Sequence, residues 1–77
     1  MGRDVVPSID IQVLENVFSE DEMAAIIRNV TEAFGVIAGE TIQLNTSVRI
    51  HEVKSGQYGY AGQALTTQDA LAMRARG

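Results

Sequence analysis

Residues 8–14 read SIDIQVL and residues 47–53 read SVRIHEV, and these two stretches decide the fold. In the first, Ile9, Ile11 and Val13 alternate with Ser8, Asp10 and Gln12. A period of two marks a strand with one buried face. In the second, Val48 and Ile50 share one face, and Arg49, His51 and Val53 share the other, which predicts another strand. Between them the spacing predicts one helix over 20–38. Ser19-Glu20-Asp21-Glu22 has the pattern of a capping box, and its acids complement the helix dipole. Met23, Ile26, Ile27, Val30, Ala33, Phe34 and Ile37 recur at steps of three and four, so Met23 and Phe34 are expected in the core. Gly35 interrupts this stripe at a cost of about 1 kcal/mol relative to alanine, and Gly39 is a natural stop.

Residues 40–46 read as a connection anchored by Ile42 and Leu44. Strand, long helix and strand make a β-α-β unit, with parallel strands and a right-handed crossover. Three glycines in GQYGYAG (56–62) suggest tight turns or a short hairpin. They do not form a phosphate loop, because the Lys-Ser/Thr pair is missing. Thr66 and Thr67 are candidate caps for a short helix over 67–75, with Arg74 and Arg76 expected in solvent near its end.

The chain has 77 residues, which sets one α+β domain spanning 1–77. A chain this short buries only about 60 % of its unfolded surface and usually needs a staple. With no cysteine, disulfides and thiolate metal sites are excluded, and a single histidine argues against structural zinc. Two strands and one helix leave open edges and one bare sheet face, so the expected staple is self-association. A net charge of −4 argues against a nucleic-acid partner. No apolar run approaches the roughly 20 residues of a membrane span. With no apolar leader either, the expected location is the cytoplasm.

The layout resembles the 4-oxalocrotonate tautomerase family. The resemblance rests on PSIDIQVLE (7–15), on SEDE (19–22) followed by IRNVTEA (27–33), on TSVRI (46–50) and on GQYGYAG (56–62). It runs from Pro7 to about Gly62, with residues 1–6 as an N-terminal extension. It implies a tautomerase-like β-α-β unit with a C-terminal hairpin, assembled into a trimer or hexamer. It also implies proton transfer in small enol or 2-oxo acids, with no cofactor and no metal.

By the same resemblance, Pro7 matches the family's catalytic proline, whose secondary amine is the base. Arg49 matches the arginine that binds the substrate carboxylate or carbonyl, a task suited to a planar fork of donors. Tyr58 matches the aromatic that lines the pocket, and Leu14 an apolar residue near the substrate. Arginines and an aromatic from neighbouring subunits complete such a site. The family's arginine in the loop after the first strand is replaced here by Asn16-Val17-Phe18, which points to a monoacid or aromatic enol substrate. Arg3 and Lys54 are the candidate substitutes for that missing cation.

Met1-Gly-Arg-Asp-Val-Val6 precedes Pro7, and a proline nitrogen inside a peptide bond is an amide that cannot act as a base. Translation starting at the Val6 codon, if it is GUG, followed by removal of the initiator methionine, would free the amine. The expectation is therefore an isomerase with Pro7 exposed. Three other readings stay open: a silent oligomer of the same fold, an inactive subunit of a hetero-oligomer, and Pro7 as a plain edge-strand proline. Likewise Arg49 reads as an exposed strand residue, Tyr58 as an interface residue, Leu14 as packing and His51 as a hydrogen-bonded structural residue.

Overall fold

The computed structural model describes residues 7–77; the extension 1–6 lies outside the described residues. In chain order the elements are β1 (Ser8–Leu14), α1 (Glu20–Ala38), α2 (Glu40–Gln43), β2 (Ser47–Val53), β3 (Tyr58–Tyr60), β4 (Gln63–Leu65) and α3 (Thr67–Ala75). The fold is α+β and is built on a β-α-β unit, with β1 and β2 parallel and in register from Ser8 opposite Ser47 to Leu14 opposite Val53. The pairing continues at both ends. The Ser47 N–H donates to the Pro7 carbonyl at 2.9 Å and the Glu15 N–H to the Val53 carbonyl at 2.8 Å.

The capping box of α1 forms as its residues dictate. The Ser19 hydroxyl accepts from the Glu22 N–H at 3.1 Å, and the Glu22 carboxylate accepts from the Ser19 N–H at 2.9 Å. At the other end Gly39 adopts φ 100°, a conformation that spares glycine the Cβ penalty. The expected connection over 40–46 contains one helical turn, α2. That turn presents Leu44 to solvent, where it is 76 % exposed, so Leu44 is not an anchor. Gln43 takes the inward place, lying over Gly35, which is buried in α1.

The glycine-rich segment gives both a tight turn, at Gly56 with φ 86°, and a hairpin that runs on to Leu65. Its strands are β3 and β4, and its turn is Ala61-Gly62, with φ 52° and 82°. Two positive φ values suit a two-residue loop that follows the strand twist. Thr66 caps α3, with its hydroxyl accepting from the Asp69 N–H at 3.2 Å and its own N–H donating to Asp69 at 2.9 Å. Thr67 has a different task. Its hydroxyl donates to the Glu15 carbonyl at 2.7 Å, and its N–H donates to the Ser55 hydroxyl at 2.9 Å. The Ser55 N–H in turn donates to the Glu15 carboxylate at 2.9 Å. This polar junction ties the start of α3 to the end of β1.

Arg74 also departs from expectation. It donates to the Val17 carbonyl at 2.9 Å and, through two nitrogens, to the Glu22 carboxylate at 3.1 and 2.5 Å. Its guanidinium lies 4.8 Å from the centre of the Phe18 ring. A forked donor that meets a carboxylate, a carbonyl and an aromatic face fastens α3 to the entrance of α1.

Among the described residues, Leu14 and Val17, each 7 % exposed, are the only buried apolar side chains. Ile9, Ile11, Val13, Val48 and Ile50 are half-buried on the sheet face that meets α1. The distal part of the helix stripe does not become core within one chain. Phe34 is exposed, and Ile37 is 88 % exposed, because no layer among the described residues covers them. The radius of gyration is 15.1 Å, against about 11–12 Å for a compact domain of this length. No helix among the described residues is long and apolar enough to cross a membrane.

Candidate active site

The sheet face turned away from α1 carries the charged chemistry. Register puts Asp10 directly opposite Arg49 and Gln12 opposite His51. The Arg49 Nε donates to Asp10 Oδ1 at 2.8 Å. Its two terminal nitrogens donate to the hydroxyls of Ser47 and Ser8. His51 Nε2 stands 3.5 Å from the same Asp10 oxygen. The hydrogen bond from Arg49 holds the Asp10 carboxyl below the usual carboxylate range, assisted by the guanidinium charge and by His51. All three side chains are open to solvent.

The position of Pro7 follows from the same register. It directly precedes Ser8, whose hydroxyl receives Arg49, and its carbonyl receives the Ser47 N–H. The guanidinium is thus aimed at the end of the strand pair where Pro7 sits. Pro7 is half-buried and Arg49 exposed. Val6 precedes Pro7 in the sequence, so the Pro7 nitrogen is an amide in the chain as written.

Leu14 and Tyr58 lie elsewhere. Leu14 ends β1, about 23 Å along the strand from Pro7. With Val17, Phe18, Tyr58, Leu65 and Met73 it lines an apolar groove of about 290 Å³. Tyr58 also borders a second hollow with Gln12 and Tyr60. A single chain therefore places Arg49 on Ser8, the neighbour of Pro7, and separately lines one groove with Leu14 and Tyr58, but does not join the two places. Lys54 lies in the turn before β3, where its carbonyl accepts from the Gln57 N–H. Arg3, the other suggested substitute for the missing loop cation, lies outside the described residues.

Asp10 is the site residue that periodicity alone passed over as one polar alternate among three. A signal for it exists. SIDIQVL and SVRIHEV have equal length, and laying one on the other sets Asp10 against Arg49. An acid and a base opposite each other on one face form a cross-strand pair.

No protein-family model and no curated protein matches the chain. Solved structures do. A 4-oxalocrotonate tautomerase from the isozymes of Methylibium petroleiphilum is 25 % identical, over 82 % of this chain and 95 % of its own, with a TM-score of 0.65. A candidate 4-oxalocrotonate tautomerase from methicillin-resistant Staphylococcus aureus gives the same identity, coverage and TM-score. The chain has the tautomerase fold, and its resemblance to 4-oxalocrotonate tautomerases stands on structure as well as on motifs. The two likenesses support a tautomerase-family function.

Proposed function

We propose that the chain is a cytoplasmic isomerase that moves a proton in small enol or 2-oxo acids, with Pro7 as the base once its nitrogen is a free amine. The observation that carries this reading is the aim of Arg49. Its guanidinium reaches the hydroxyl of Ser8, the residue next to Pro7. In this reading a carboxylate held on that fork presents its reacting carbons to the Pro7 nitrogen. The amine takes the proton of the enol hydroxyl, and the carbonyl forms as the carbon–carbon double bond opens. The nucleophilic carbon then takes a proton back from the ammonium, so the base is regenerated. Arg49 fixes the acid end and stabilises the charge that gathers on the oxygen.

Tyr58 and Leu14 enter through assembly in this reading. Among the described residues of one chain, Leu14 and Val17 are the only buried apolar side chains and Phe34 and Ile37 stay exposed, which supports a trimer or hexamer in which chains cover one another. A neighbouring chain then supplies the Tyr58 end of its groove to the Pro7 end of the first.

The Val6–Pro7 peptide bond favours a second reading, a catalytically silent oligomer or an inactive partner in a hetero-oligomer. One comparison separates the two. Protein beginning at Pro7 and protein beginning at Met1 are assayed for ketonisation of phenylenolpyruvate and for labelling by 3-bromopyruvate. Turnover and labelling at Pro7 are expected only in the shorter chain, and both are expected to vanish in its Pro7→Ala variant. Equal turnover by the Pro7→Ala variant overturns the proline base. No turnover by an assembled chain beginning at Pro7 supports the silent reading.

A further inference from the structure

We propose that Asp10 is a specificity-determining residue of this site: as a resident carboxylate on the Arg49 fork it admits monoanionic enol or 2-oxo acids and turns away dianionic ones. The proposal rests on the reading of Arg49 as the anchor for the substrate acid.

Three acceptors occupy the guanidinium, and they differ in kind. Asp10 holds Nε at 2.8 Å, whereas neutral serine hydroxyls hold the two terminal nitrogens. An incoming carboxylate displaces the hydroxyls more readily than the charged Asp10, because hydrogen bonds to an ionised partner are about twice as strong. Asp10 is a cross-strand neighbour with a short side chain, so it stays beside the fork when the hydroxyls leave.

Charge then decides the substrate. The side chains on this face of β1 and β2 are Ser8, Asp10, Gln12 and Leu14 on one strand and Ser47, Arg49, His51 and Val53 on the other. Asp10 and Arg49 already cancel. Beside that cancelled pair, a bound monoanion brings one further negative charge and a dianion brings two. The second carboxylate of a dianion finds Asp10 ionised within a few ångströms and, besides His51, no second basic side chain on these strands. Like charges at such spacing repel appreciably even near water.

Crotonate and fumarate test this, because they share one four-carbon trans skeleton and differ by a second carboxylate. The assembled full chain and its Asp10→Asn variant are titrated with each acid, by calorimetry and by the Arg49 Nε–H resonance. The substituted amide keeps an oxygen for Nε and loses only the charge. Asp10→Ser serves as a second neutral variant should the first fail to assemble. The wild-type chain is expected to bind crotonate more tightly than fumarate by about tenfold, or about 1.4 kcal/mol. Removing the Asp10 charge is expected to erase that preference, mostly by tightening fumarate. An unchanged preference in both variants, with the Arg49 resonance still responding, overturns the role of Asp10 and leaves the anchor intact. An Arg49 resonance that answers neither acid in any variant overturns the anchor and the proposal together.

Discussion

Gly35 of α1 lies beneath Gln43 of α2, so closely that a Cβ at position 35 would fall 2.0 Å from Gln43 Oε1 and 2.6 Å from its Cβ. In an isolated helix, alanine here would gain about 1 kcal/mol over glycine. The contact reverses the sign, because the Gln43 Cβ cannot swing away without moving α2. Gly35→Ala is expected to destabilise by about 1–3 kcal/mol, as overpacking does, and to lower the melting temperature at fixed protein concentration. A higher melting temperature would mean that α2 yields at no cost.

The Glu22–Arg74 pair predicts a pH dependence. Hydrogen bonds from Arg74, and next from the Ser19 N–H, lower the Glu22 carboxyl from 4.5 to about 2. The folded chain therefore binds fewer protons here than the unfolded chain. The stabilisation is complete above about pH 4.5 and fades as the pH falls toward 2. Melting temperatures followed down that window are expected to drop in the wild-type chain and to drop less in Arg74→Gln. Added salt is expected to shrink the difference, since both side chains are exposed. Parallel curves for the two proteins would remove the coupling.

The bare stripe on α1 predicts assembly and its failure. Val30, Ala33, Phe34 and Ile37 line one apolar hollow, and Ile37 is almost fully open in the single chain. Phe34→Glu places a charge where another chain is expected to pack. Sedimentation is expected to show loss of the oligomer, and circular dichroism a loss of helix with it, because among the described residues Leu14 and Val17 alone make a meagre core. An unchanged oligomer would locate the interface elsewhere.

What the sequence carried was the local and periodic part of this molecule. Both long strands, α1 and α3 fall at the expected residues, since alternation, the 3.6-residue stripe and the two capping residues all act over short range. What it did not carry depends on distant partners. Arg74 looked solvated because Val17, Phe18 and Glu22 meet it only after folding. Gly35 looked like a weakness because its reason, Gln43, sits in a turn that read as a connection. Phe34 reads as core because a periodic stripe marks a face as apolar and says nothing of what covers it. In the candidate site, Arg49 was legible by resemblance, whereas its partner Asp10 needed the strand register.

Arg49 gives the last prediction, and it separates charge from shape. The side chain spends three nitrogens on three acceptors, Asp10, Ser8 and Ser47, across both strands. Lysine keeps the charge but offers a single point of attachment that cannot span them. In protein beginning at Pro7, Arg49→Lys is expected to lower kcat/KM for a monoanionic enol acid by about tenfold or more, the loss of one good charge-assisted contact. Most of that loss is expected in KM if Arg49 chiefly holds the ground-state carboxylate, and in kcat if it chiefly meets charge that develops on the oxygen. The stability of the strand pair is expected to change little, because the side chain is exposed and its ion pair is open to water. An Arg49→Lys enzyme with wild-type kcat and KM would show that the fork does not hold the substrate, and the site would have to be sought at the Tyr58 groove instead.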